Sequence, residues 1–125
     1  MIQLREHMEL VALLSSGKGS WGQVAGLIKK GEWEKIILLG PQYASEFKAD
    51  IPFDFIEYDD SKSLTALKDF FVKKLNEKLG DSFSDVALSI ASGSGKEHIA
   101  LISAIQSIPR GMRLVALTKD GIVVM

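Results

Sequence analysis

Apolar residues along this chain fall into short solid runs and longer interrupted stripes, and the two kinds alternate. Met8–Leu14 (MELVALL) is a solid run that stops abruptly at Ser15-Ser16-Gly17. Leu4, Met8 and Val11 are also spaced for a helix, but the shortness of the run and its turn-residue end predict a buried strand. Ser20 then stands where a helix N-cap belongs, Val24, Leu27 and Ile28 share one helical face, and Gly31 stops that helix. Lys35–Leu39 (KIILL) is a second buried strand, closed by Gly40-Pro41. Gln42–Lys48 has room for one or two helical turns. After Pro52, Phe53–Tyr58 (FDFIEY) predicts a third strand with partial alternation.

The second half keeps this rhythm. Asp60 or Ser61 is the expected cap of the longest helix, whose stripe is Leu64, Leu67, Phe70, Phe71, Leu75 and Leu79. Gly80 occupies its C-terminal cap. Asp85–Ile90 (DVALSI) is strand four, and a helix carrying Ile99, Leu101, Ile102 and Ile105 stops before Pro109. Arg113–Leu117 (RLVAL) is strand five, Lys119-Asp120-Gly121 signals a tight turn, and Ile122–Val124 returns as strand six. Strands alternating with helices predict one α/β domain over residues 1–125, Rossmann-like and doubly wound, with helices on both faces of a mostly parallel sheet. Right-handed crossovers lead to a strand order of about 3-2-1-4-5, with strand six antiparallel at the edge. Strands one and four are then neighbours where the winding reverses, the place where such folds bind ligands.

Composition narrows the function classes. The chain has 125 residues, 46% of them hydrophobic and 25% charged, with a net charge of −1. That balance argues against a protein that coats DNA or RNA generally, and leaves room for a small anion held by local donors. The absence of cysteine excludes disulfides, thiolate nucleophiles and cysteine-ligated metals. His7 and His98 show no metal-ligand spacing, so neither a metal nor a cofactor is expected. No apolar run reaches the roughly 18 residues of a membrane helix, and Met1–His7 lacks a signal peptide's apolar stretch. The expectation is a cytoplasmic protein without a membrane partner.

Two glycine- and serine-rich loops carry the candidate chemistry. One is Ser15-Ser16-Gly17-Lys18-Gly19-Ser20-Trp21-Gly22, after the first strand. The other is Ala91-Ser92-Gly93-Ser94-Gly95-Lys96-Glu97, after the fourth. Glycines let a backbone approach a ligand closely, and the N–H groups that start a helix attract anions. Gly17 to Gly22 formally matches G-x-G-x-x-G. A dinucleotide site also wants an acid about 20 positions on, where this chain reads Leu39-Gly40-Pro41-Gln42. Gly95-Lys96 is followed by Glu97, so no Walker loop is present, and no serine sits in a G-x-S-x-G elbow. Either loop alone reads more simply as a solvated turn with a helix cap. Two of them meeting at the switch point favour one phosphate-binding crevice. Trp21 and Trp33 read more simply as packing anchors than as base-stacking platforms. His98 reads either as a site residue or as an ordinary half-buried side chain, and Lys73, Lys74 and Lys78 as the wet face of the long helix.

The run Ala87–Glu97 with its following helix resembles the loop after strand four in CARF domains, the CRISPR-associated Rossmann-fold sensors of antiviral defence. The tail Arg113–Val124 is similar to their closing hairpin, and Ser15–Ser20 takes the place of their first ligand loop. The chain has Ser-Gly-Ser-Gly where a Thr-Gly-Gly-Thr-like run is common, and these 125 residues hold no effector module. The resemblance implies a homodimer that binds cyclic oligoadenylate across its two-fold axis. Ser15, Ser16, Gly17, Lys18, Gly19, Ser20 and Trp21 would contact it from one side, and Ser92, Gly93, Ser94, Gly95 and Lys96 from the other. A ring of phosphates with two-fold symmetry suits an isologous pair. Some family members cleave the ring without metal, by turning the ribose 2′-hydroxyl on its own phosphate. In that alternative Ser16 would position the ring, and Lys18 or Lys96 would stabilise the developing charge. A third reading is a Rossmann-like interaction module whose glycine loops are merely turns.

Overall fold

The computed structural model describes residues 8–15, 18–80 and 84–125, and for Lys18 the backbone alone. Among the described residues, six strands form one sheet in the order β3-β2-β1-β4-β5-β6. The strands are β1 (Met8–Leu13), β2 (Ile36–Gly40), β3 (Asp54–Glu57), β4 (Asp85–Ser89), β5 (Met112–Thr118) and β6 (Gly121–Val124). The first five run parallel, and β6 pairs antiparallel with β5 through Thr118↔Gly121 and Val115↔Val124. This is the doubly wound, Rossmann-like α/β arrangement expected from the alternation of runs and stripes.

The helices are α1 (Trp21–Lys30), α2 (Leu64–Leu79) and α3 (Gly95–Gln106), and they divide between the two faces. Val24, Leu27 and Ile28 of α1 pack on Leu10, Ala12, Leu14, Ile36, Leu38 and Ala87. On the other face, Leu67, Phe71, Leu75 and Leu79 of α2 join Ala100, Leu101, Ala104 and Ile105 of α3 over Val11, Leu13, Ile37, Leu39, Val86 and Leu88. Strands covered on both faces have no polar side to show, so their runs are continuous rather than alternating.

Several boundaries differ from expectation for identifiable reasons. Ser63, not Asp60 or Ser61, caps α2: its hydroxyl accepts from Ala66 N. Asp59 instead folds an Asx turn with Ser61, accepting from both the N and the Oγ of that serine at 2.9 and 2.6 Å. Gln42–Glu46 is a 3₁₀ helix and ends before Lys48. Ser20 holds the N-cap position of α1 without a side-chain capping bond to the helix. Gly80 caps α2 at φ 62°, as expected. Trp33 packs on the end of α1, its Nε1 donating to Leu27 O at 2.8 Å.

A buried ion pair closes the end of the sheet where β1 begins. Arg110, just beyond α3, pairs with Glu9 of β1 and donates through Nε to Ser84 O at 2.7 Å. The candidate site lies at the other end.

Candidate functional site

The carboxyl ends of β1 and β4 lie side by side, in register Ala12↔Ser89, and the chain leaves them through the two glycine-serine loops. Buried Ser15 ties these loops together. Its N–H donates to Ser92 Oγ at 2.9 Å, and its hydroxyl donates to Glu97 Oε2 at 2.8 Å. Its carbonyl accepts from Trp21 Nε1 at 3.1 Å. Segments about 80 residues apart in sequence are thereby fastened by side chains rather than by the ladder.

Glu97 is the centre of this arrangement. It is 3% exposed and sits at the third position of α3. Ser94 N donates to its Oε1 at 2.7 Å while Ser94 Oγ accepts from Glu97 N, a complete capping box. Its Oε2 accepts from the Tyr58 hydroxyl as well as from Ser15. Burial pushes this carboxyl up, but hydrogen bonds from Tyr58, the Ser94 backbone and Ser15 outweigh that and hold it below its ordinary value. Burial, and then the carboxylate beside it, push the Tyr58 hydroxyl far up, so it stays a donor. Tyr58 also packs edge-on against Phe71, ring centres 5.1 Å apart.

Gly93 makes the turn that lets Ser92 face Ser15 and Ser94 face Glu97. Its φ of 104° lies in the left-handed region, and an added Cβ would press on Glu97 Oε1 and Leu13 Cδ1 at 3.2 Å. His98 Nε2 lies 2.9 Å from Ser92 O; a carbonyl only accepts, so the ring nitrogen donates. His98 thereby steadies this loop from behind.

Of the residues expected at the site, Ser15, Ser94 and Lys96 line one cavity of about 220 Å³, together with Tyr43, Asp60 and Glu97. Ser92 is buried beneath them, and Gly95 opens α3 at the surface. Lys96 does not simply project outwards: its Nζ donates to Asp60 O at 2.7 Å and Lys62 O at 2.8 Å, clamping the chain between β3 and α2. Trp21 is half-buried, with its ring edge-on to Phe47 at 6.1 Å, which is the geometry of a packing anchor. Gly19 and Ser20 lead into α1. Ser16, Gly17 and the side chain of Lys18 lie outside the described residues.

A larger cleft of about 720 Å³ adjoins the cavity, and the two share Tyr43 and Asp60. It lies over the ends of β2 and β3, lined by Gln42, Glu57, Asp59, Lys62 and Phe70 among others. Its carboxylates come from the end of β3 and the residues just after it. Glu97 was legible in part, because Ser94-Gly95-Lys96-Glu97 is a capping-box signature. The role of Tyr58 had no signal in the sequence, since only strand pairing and helix packing bring it to Glu97.

Among the described residues, no group of three or more His, Asp or Glu side chains could hold a metal ion, and no helix is long and apolar enough to cross a membrane. No family model, curated protein or solved structure matches this chain.

Proposed function

We propose that this domain binds a phosphate-bearing nucleotide in the crevice above β1 and β4, and that the ligand is cyclic oligoadenylate shared by a homodimer in CRISPR-associated signalling. The observation that carries this reading is the fastening of the two glycine-serine loops through Ser15, Ser92 and Glu97 beside a cavity that Lys96 lines. Ser15 and the Ser92–Glu97 loop are held in place before a ligand arrives, which lowers the ordering cost of binding. The N–H groups of Gly95 and Lys96 head α3, and those of the first loop head α1; helix starts of this kind suit phosphate oxygens. Lys96 keeps one N–H beyond its two carbonyl bonds and adds its charge. Ile99, 55% exposed one turn into α3, is the apolar side chain that a two-fold contact beside this loop would cover.

The test is to mix the full chain with cyclic tetra-adenylate, follow binding by calorimetry and examine the ligand afterwards by chromatography. Saturable binding of intact ring to a dimer is the expected result. Replacing Lys18 and Lys96 by alanine weakens it by about 1–3 kcal/mol per lost charged contact. Unchanged affinity in that double variant refutes the site, and absence of binding leaves an interaction module. Appearance of linear product replaces the binder by a metal-independent ring nuclease.

A further inference from the structure

The charges around the two adjoining pockets are unequal. The small cavity sets Lys96, with the hydroxyls of Ser15 and Ser94, against the carboxylates of Asp60 and Glu97. The large cleft is lined by the carboxylates of Glu57, Asp59 and Asp60 against the single amine of Lys62, which is already placed 5.2 Å from the centre of the Phe70 ring. A phosphate meets less repulsion in the cavity than in the cleft, which has one carboxylate more for the same single amine. A neutral group rich in hydrogen-bond donors would meet acceptors. Tyr43 stands where cavity and cleft join, is 43% exposed, and offers a ring face to a flat ligand spanning both. The cleft volume of about 720 Å³ falls within the range of small-molecule sites.

We infer that the cleft between the 3₁₀ helix and the β3–α2 connection holds the nucleoside end of the ligand, and that its carboxylates select a base carrying an exocyclic amine. This rests on the nucleotide reading above and adds the residues that decide which nucleotide is taken. The base stacks on Tyr43, its amine donates to the carboxylate of Asp60 or Asp59, and ribose hydroxyls donate to the remaining acceptors. Uracil presents a carbonyl where adenine and cytosine present the amine, so a carboxylate facing that edge repels it. Selection therefore comes from both an attraction and a repulsion.

Calorimetric titration of the full chain with AMP, UMP, adenosine and inorganic phosphate tests this. AMP is expected to bind roughly tenfold tighter than UMP, the worth of one good hydrogen bond. Tyr43→Ala is expected to weaken AMP roughly tenfold through lost stacking, while inorganic phosphate binds as before. Asp60→Asn is expected to narrow the ratio of AMP to UMP affinities, because an amide can donate to the uracil carbonyl. Both side chains are exposed, so neither change threatens the fold. Equal affinity for AMP and UMP, or an AMP affinity that Tyr43→Ala and Asp60→Asn leave unchanged, overturns the inference while the phosphate site stands. Adenosine binding as tightly as AMP, with no competition from phosphate, upholds the cleft and removes the phosphate reading. No saturable binding of AMP or adenosine overturns the cleft assignment, and the titration with cyclic tetra-adenylate then decides the crevice above β1 and β4.

Discussion

Replacing Tyr58 by phenylalanine isolates the bond on which the site's geometry depends. The ring stays, and with it the edge-on contact to Phe71 at 5.1 Å. What goes is the hydroxyl that donates to Glu97, a carboxylate that is 3% exposed. A hydrogen bond to a charged group contributes about 1.5–3 kcal/mol, and leaving a buried charge short of a partner pushes the loss to the upper part of that range. We expect a loss of about 2–3 kcal/mol. At about 2.1 cal/mol/K of unfolding entropy per residue, each kcal/mol lowers the melting temperature of a domain this size by about 4 °C, so the drop is about 8–12 °C.

Urea titration and calorimetry both measure this loss, and the denaturant slope should not change, because the surface exposed on unfolding is the same. A double-mutant cycle assigns it to the pair. In a Glu97→Gln background, Tyr58→Phe should cost less than about 1 kcal/mol, since no charge then waits for the hydroxyl. A Tyr58→Phe variant within about 0.5 kcal/mol of the parent would refute the reasoning. So would an equal loss in both backgrounds, because the tyrosine would then act through something other than the carboxylate.

Two further outcomes follow from the charges. Arg110→Leu leaves Glu9 buried without its partner and should cost about 3–5 kcal/mol in urea titration, while Glu9→Leu with Arg110→Leu should return most of that. The Glu97–Tyr58 pair also sets two pH limits. Glu97 sits below its ordinary value, so its contribution is whole above about pH 4.3 and is lost as pH falls through the lower, folded value. Tyr58 sits above its ordinary value, so its contribution is whole below about pH 10 and is lost as pH climbs past that. Urea midpoints measured across pH should show the alkaline decline shrinking in Tyr58→Phe; an identical decline in both proteins assigns it elsewhere.

How much of this is legible in the sequence depends on the range of the interaction. MELVALL and KIILL announce strands because both of their faces are covered, and the Leu67, Phe71, Leu75, Leu79 stripe announces one buried helix face. Right-handed crossovers restricted the sheet order, which follows the doubly wound pattern 3-2-1-4-5. The cap of α2 is not legible, because Asp59, Asp60, Ser61 and Ser63 all carry capping chemistry. The choice falls to Ser63 once Asp59 turns onto Ser61 and Lys96 holds the carbonyls of Asp60 and Lys62. The same Lys96 clamp was invisible in the sequence, where a lysine after glycines reads as a phosphate ligand. The two glycine-serine loops are legible, yet the group that joins them is a carboxylate, and its remaining partner, Tyr58, follows β3, a strand not adjacent to β4.

That carboxylate also acts on any anion near it. Glu97 takes the Ser94 N–H at the head of α3 for itself, so part of the donor set that would meet a phosphate is already engaged. An incoming phosphate must lie against the N–H groups that remain, within several ångströms of a fixed negative charge. Unit charges about 7 Å apart repel by about 0.6 kcal/mol in bulk water and about 2.4 kcal/mol at an effective dielectric of about 20. Removing the charge while keeping the shape, as in Glu97→Gln, should therefore tighten inorganic phosphate binding by at least about threefold. Loosening of the loops works in the opposite direction. Competition measured on the folded variant decides between the two: tighter phosphate means that the charge of Glu97 limits affinity. Unchanged phosphate affinity at undiminished loop protection from hydrogen exchange means that no anion comes close to Glu97, and the crevice above β1 and β4 is then not where phosphate binds.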